Sequence, residues 1–197
     1  MRDAEATRRR ILDAARAEFS RYGPAGARIN RIASISAANK ERIYANFGSK
    51  EGLFDAVMVD TLAVHGKMKG VKYGSPEEII DRLHGTHERA PELLRLMLWE
   101  ALTLDGGDLP GEEERRKYYK ERVSVLQKEY GLSNTANTAA ALFLLIGIAA
   151  WPSTMPQLKA LVTPEGNNKE FDKRLFELMH RIAAALLEVD DDNDNDG

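Results

Sequence analysis

Apolar residues recur along the chain at helical spacing, and no segment shows the period-two alternation of a half-buried strand. From Thr7 to Tyr22, Ile11, Ala15 and Phe19 repeat every four residues with Leu12 and Ala14 beside them. Arg8, Arg9, Arg10, Arg16 and Arg21 occupy the rest of that helix. Gly23-Pro24-Ala25-Gly26 stops it. A short segment follows around Ile29, Ile32 and Ala33, then a break, then Asn39 to Phe47 with Ile43 and Phe47 four apart. Asn39 suits the N-cap of this third helix, because its side-chain oxygen can accept an unpaired N–H of the first turn. Two short helices joined by a tight turn, behind a longer one, make a helix-turn-helix pattern.

Ser49 is a further N-cap candidate, with Gly52 where a capping box would place Glu, so that box is half formed. The helix it opens runs through Leu53, Phe54, Val57, Met58, Leu62 and His65 until Gly66 and Gly70 weaken it. Ser75-Pro76-Glu77-Glu78 is a stronger start, with Ser at the cap, Pro at the first position and Glu at the third. The helix beyond it carries Ile79, Ile80, Leu83 and His87. Pro91 opens another helix, Glu92 to Leu104, and an exposed loop of Asp, Gly and Pro follows up to Gly111. Glu112 to Tyr130 reads as a long charged helix with Tyr119, Val123, Leu126 and Tyr130 inward. Ser133 begins an Ala/Leu-rich helix that ends at Trp151-Pro152. A Pro/Gly/Asn-rich connection, Ser153 to Asn168, leads to a last helix from Phe171 to Val189. The expected fold is all-α with about nine helices: a helix-turn-helix domain over residues 1–48, a second helical domain over 49–189, and a disordered acidic tail over 190–197. The first 48 residues are too few for much core of their own and must lean on the helix beginning at Ser49.

Composition narrows the classes. The 197 residues are 43% hydrophobic and 30% charged and include no Cys, which removes disulfides, thiolate zinc sites, iron–sulfur clusters and cysteine nucleophiles. This fits a reducing cytoplasm. Met1-Arg2-Asp3-Ala4-Glu5 has no apolar core of a secretory signal behind it. The most apolar stretch, Ala139 to Trp151, spans thirteen residues, below the about 20 of a membrane span, and reads as a buried helix; no membrane association is expected. The net charge of −3 hides an asymmetry: residues 1–51 carry eleven Lys+Arg against six Asp+Glu, and residues 52–197 seventeen against twenty-five. Five of those acids lie in the last eight residues. A basic N-terminal quarter on an acidic body suggests that one end meets a polyanion.

Ile11-Leu12-Asp13-Ala14-Ala15, Phe19, Gly23, Ile32-Ala33 and the run Ile43-Tyr44-Ala45-Asn46-Phe47-Gly48-Ser49-Lys50-Glu51-Gly52-Leu53 agree in order and spacing with one family. They resemble the DNA-binding domain of the tetracycline-repressor (TetR) family of bacterial transcription regulators. The likeness covers residues 7–54, about a quarter of the chain. It implies that the helix from Asn39 to Phe47 enters the DNA major groove, and the residues suit this: Ile43 and Phe47 point inward while Lys40, Arg42 and Asn46 stay free. It further implies phosphate contacts from Tyr44 and from Lys50, whose charge adds to a helix N-terminus already suited to anions. Lys40, Glu41 and Arg42 fall where the family reads bases or adjacent phosphates; Arg42 could take guanine bidentately and Glu41 could accept from cytosine. Arg28 and Asn30, opening the second helix, are further contact candidates. Two positions depart from the family pattern. The turn between the two short helices reads Ser36-Ala37-Ala38 where the family has Ala-Gly-Val, and Ala costs on the order of 1 kcal/mol there if the left-handed geometry is kept. Ala27-Arg28 stands where the family places a Thr cap.

The resemblance also implies a C-terminal sensor domain whose last two helices pair with a second subunit. The helix from Asn134 to Trp151, apolar nearly all round, and the final helix with Phe171, Leu175, Leu178, Met179, Ile182 and Leu186 agree with such a homodimer. Two-fold symmetry would set two recognition helices about one DNA turn apart, on a palindromic operator. An apolar or amphipathic effector is expected between the fourth helix and those that follow, with Met58, Leu62, His65, Leu83, His87, Met97, Trp99, Glu100, Tyr119 and Phe143 as candidate contacts. His84 and His87 are three apart and could share a face, but without Cys or an evident acidic third ligand they predict no metal site. No Ser, His or Asp stands in a nucleophile-elbow or other catalytic context, so neither catalysis nor a cofactor is expected. The leading reading is a ligand-responsive regulator, a repressor released from double-stranded DNA by a small molecule. Its rival, invited by the Ser36-Ala37-Ala38 turn, is a helical dimeric module that works through a protein partner.

Overall fold

The computed structural model describes residues 2–65, 72–103 and 109–188, and the regular structure among them is entirely helical. In order the helices are α1 (Arg2–Gly26), α2 (Ile29–Ser36), α3 (Lys40–Phe47), α4 (Lys50–His65), α5 (Pro76–Arg89), α6 (Pro91–Thr103), α7 (Glu112–Tyr130), α8 (Thr135–Thr154), α9 (Pro156–Val162) and α10 (Asn168–Leu187). The side chain of His65, residues 104–108 and the acidic tail fall outside the described residues.

One compact unit comprises Met1–Met68 and Ala90–Arg115, so α6 joins the three N-terminal helices and α4. Its core gathers Ile11, Leu12, Ala15 and Phe19 of α1, Ile29 and Ile32 of α2, Ile43 of α3, Leu53, Phe54, Val57 and Met58 of α4, and Leu96 of α6. Phe19 and Phe54 meet edge to face with centroids 5.2 Å apart, a favoured aromatic geometry. Polar groups then fix the pairing of α1 with α4. Asp60 accepts from Arg9 at 2.8 Å and from Arg16 at 2.6 Å, Asp13 pairs with the same two arginines, and Arg16 Nε donates to the Thr61 hydroxyl. The chain leaves the long helix at Gly23, whose φ of 68° is open to glycine without strain, and a Cβ there would lie 2.8 Å from the Trp99 ring of α6. Gly23 is thus required twice, by backbone conformation and by the tryptophan laid against it.

The other unit comprises Lys69–Arg89 and Arg116–Gly197. There α5 packs against α8 and α10. Ile79, Ile80, Val123, Leu126, Leu142, Leu145, Ala149, Met179, Ala183 and Leu187 form its core. The capping box predicted at Ser75 is complete: Glu78 N–H donates to Ser75 Oγ at 3.3 Å and Ser75 N–H donates to Glu78 Oε2 at 2.9 Å. The cap of α8 is Asn134, whose Oδ1 accepts the Asn137 N–H at 3.0 Å, one residue beyond the expected start.

Two expectations change. The connection from Ser153 to Asn168 contains a tenth helix, α9, which Pro156 opens at its first position and which Lys159 ties to Asp172 of α10 at 2.6 Å. The apolar stretch ending at Trp151 belongs to a longer helix, because Pro152 removes one N–H without stopping it. At 20 residues and a mean hydropathy of 1.5 over its best window, α8 is long and apolar enough by length and composition to cross a membrane, and only 28% of that window is buried. It is therefore no ordinary core helix. Phe143 is 77% exposed, and Leu144 and Trp151 of α8 and Leu178 and Ile182 of α10 are exposed as well. So large an apolar surface on helix faces calls for a cover.

Candidate nucleic-acid interface

The site is built on the corner between α2 and α3. Ile29 and Ile32 anchor α2 in the core, and the buried Ser36 hydroxyl donates to the Ile32 carbonyl at 2.7 Å. The chain reverses at Ala37, whose φ of 51° and ψ of 39° are left-handed, with Ala38 N–H donating back to the Ala33 carbonyl at 3.1 Å. The turn therefore keeps the geometry that favours glycine and bears the steric cost of a Cβ. Asn39 Oδ1 accepts the Arg42 N–H at 2.8 Å and starts α3 as predicted.

On α3 only Ile43 is fully buried, and Phe47 is packed against the same core. Lys40, Glu41 and Arg42 are exposed on its first turn, Tyr44 is 44% exposed, and Asn46 is exposed. Asn46 is less free than expected, since its amide donates to the Arg42 carbonyl at 2.7 Å. At the entrance of α2, Arg28 and Asn30 are exposed. Lys50 opens α4 with Nζ 3.5 Å from the Ala25 carbonyl. Ser49 caps α4 by accepting the Gly52 N–H at 3.0 Å, and any Cβ at position 52 would collide with the Phe47 carbonyl. Gly52 takes the place of a capping-box Glu because the α3–α4 corner leaves no room for a side chain.

Three supporting residues escaped the sequence reading. Glu18, buried on α1, accepts the Arg28 N–H and the Arg31 Nε, each at 2.8 Å. Burial pushes its carboxyl upward, but the hydrogen bonds from Arg31 and Arg28 and their charge outweigh this and hold it below the ordinary range. It satisfies the N–H of Arg28, the residue that caps α2, as the glutamate of a capping box would, but from a different helix. Its signal was a carboxylate set in the apolar stripe of Ile11, Ala15 and Phe19. Asp13 and Asp60 are the other two; they draw Arg9 and Arg16 into internal ion pairs, as Glu18 does Arg31. Lys40 and Arg42 make no ion pair among the described residues, so the cations on the open face of α3 are left uncompensated.

The ten effector candidates separate between the units. In the first, Met58 lies in the core, Leu62, Met97 and Trp99 pack against it, and Glu100 is held by Arg115 in a two-point ion pair at 2.9 and 3.0 Å. In the second, Leu83 and Tyr119 pack on the other core and Phe143 faces outward. His87 is buried with neither ring nitrogen hydrogen-bonded among the described residues, and burial, assisted by His84, pushes its pKa down. His84 Nδ1 lies 3.2 Å from the Ala149 carbonyl and its Nε2 3.5 Å from Glu88.

A helix-turn-helix whose second helix presents an open polar face, seated on a helical core, defines a DNA-binding regulator. Comparison with known proteins places it further. Residues 11–57 match the family model for bacterial regulatory proteins of the tetR family, and residues 77–181 match that for the tetracyclin repressor-like C-terminal domain. The chain belongs to the TetR family of transcription regulators. It is 41% identical to the HTH-type transcriptional repressor SCO4008 of Streptomyces coelicolor over 169 residues, 84% of this chain and 88% of that one. It is 32% identical to the HTH-type transcriptional repressor NicS of Pseudomonas putida over half of each chain. The crystal structure of the Streptomyces coelicolor protein SCO4942 superposes with a TM-score of 0.71 at 25% identity, covering 89% of this chain and 97% of that one. Members of this family regulate transcription by binding DNA and are generally not enzymes.

Proposed function

We propose that this chain is a dimeric repressor that reads a palindromic operator with α3 and releases it when a small apolar or amphipathic effector binds. The observation that carries the reading is the exposed polar face of α3, anchored by Ile43 and capped by Asn39, within the segment matched to the family's DNA-binding domain. In this reading Lys40, Glu41, Arg42 and Asn46 face base edges, and Arg28, Asn30, Tyr44 and Lys50 take phosphates. Residues 1–48 read DNA, residues 49–189 sense and pair, and the protein works without catalysis in the bacterial cytoplasm. The exposed apolar residues of α8 and α10 support pairing of two copies through these helices. His87 supports effector binding in the second unit, since an imidazole buried without a partner is costly until something hydrogen-bonds it.

The effector works by binding more tightly to a form in which the two recognition helices cannot reach successive grooves together, and by reciprocity DNA weakens the effector. The test is fluorescence anisotropy on the gene's own upstream region and on random duplex, followed by a screen for compounds that release the bound DNA. A salt-sensitive preference for the upstream region, abolished by at least one compound, is expected. Equal binding to both duplexes would refute the reading.

A further inference from the structure

We infer that Arg8 of α1 is a further phosphate-contact residue of the DNA interface, held in position by the ring of Phe47. The inference rests on the docking of α3 proposed above. The Arg8 guanidinium carbon lies 5.2 Å from the centroid of the Phe47 ring, at the last residue of α3. Phe47 is packed against the core of its unit, so the platform beneath the guanidinium is fixed. A cation–π contact with Phe47 takes up none of the guanidinium's N–H donors in hydrogen bonding, and those donors are what grip phosphate.

The other α1 arginines among the described side chains are committed differently. Arg9 and Arg16 are bound to Asp13 and Asp60, Arg10 donates to the Thr7 hydroxyl at 3.1 Å, and Arg21 lies over Tyr22 at the far end of the helix. Arg8 is exposed and makes no ion pair among the described residues. Its charge is thus both uncompensated and oriented, and it sits against the corner where α3 ends and Lys50 opens α4. In a helix-turn-helix the recognition helix, here α3, lies in the major groove and the helix before it, α2, crosses the backbone. Arg8 stands on α1 against the C-terminal end of α3, next to the phosphate contact proposed for the start of α4. Arg8 adds a second cation to the phosphate contact assigned to Lys50.

Arg8→Ala and Arg8→Lys would be compared with the wild-type chain, using the duplex that the wild type recovers from a random pool, across a salt series. Arg8→Ala should fold with an unchanged helical spectrum and bind about threefold to tenfold more weakly at about 0.1 M salt for each Arg8 on the duplex, the two losses multiplying for a dimer. Its log K against log salt should flatten by about 0.9 for each Arg8 on the duplex, or about 1.8 for a dimer. Arg8→Lys should restore the slope and only part of the affinity, because lysine keeps the charge without the stacked fork. An unchanged slope for Arg8→Ala, with or without weaker binding, overturns the inference while leaving α3 as the reader. Wild-type protein that recovers no duplex overturns the docking itself and the inference with it.

Discussion

The carboxylate of Glu18 accepts the backbone N–H of Arg28 at 2.8 Å, so a side chain ten residues upstream satisfies the entrance of α2. The same carboxylate binds the Arg31 guanidinium one turn into that helix. One buried acid therefore fixes both where α2 begins and how it lies on α1.

Glu18 gives the fold a pH dependence of definite sign. Its folded pKa is depressed, so its contribution is fully present above the unfolded carboxyl value of about 4.3 and is lost as pH falls through the lower folded value. Glu18→Gln should cost about 1.5–3 kcal/mol at pH 7 in chemical denaturation, and the gap to wild type should narrow below about pH 4.3. A gap that widens with acidification would contradict this.

Ala37 occupies the left-handed region, where its Cβ is strained. Ala37→Gly removes the clash but loosens the unfolded chain, and the net should be a gain of about 0.5–1 kcal/mol without loss of DNA binding. Destabilisation by Ala37→Gly would show that the turn does not keep this conformation in solution.

These two turns mark what could be read in advance. The caps at Asn39 and Ser75 and the Ile43/Phe47 spacing follow from interactions three or four residues apart, and the sequence displays those directly. The Gly-to-Ala departure at position 37 was readable as a strain because its cost depends on backbone geometry alone. Glu18 with Arg28, Arg16 with Asp60 and Gly23 with Trp99 were not, because each partner is chosen by packing between helices. The helix α9 was hidden by the Pro, Gly and Asn around it, which read as loop, although its seven residues begin with proline at a permitted position. Of the candidate site, the α3 face was readable from one short helix, whereas the effector candidates depended on a tertiary arrangement that spacing does not encode.

The clasp between α1 and α4 should be unequal. Asp60 has 21% of its side chain exposed and bonds two arginines across helices, whereas Asp13 is 48% exposed and sits on the same helix as both. Asp60→Asn should lower stability by about 1–2 kcal/mol and Asp13→Asn by clearly less, measured by urea denaturation. The reverse order would mean that Asp60 does not link the two helices.

The exposed faces of α8 and α10 predict self-association. Sedimentation should find the wild type dimeric at micromolar concentration, and Phe143→Glu combined with Leu178→Glu should yield a helical monomer that binds DNA far more weakly. A monomeric wild type, or a doubly substituted dimer, would remove these helices as the pairing surface.

Sequence reading by α3 is tested most directly by selection of duplex from a random pool by wild type and by Arg42→Ala. The wild type should recover a palindromic sequence, and Arg42→Ala should lose preference at one symmetric pair of positions, weakening binding there by about 1–3 kcal/mol. No enriched sequence from the wild type, or one unchanged in every position by Arg42→Ala, would contradict the assignment of Arg42 as a base reader.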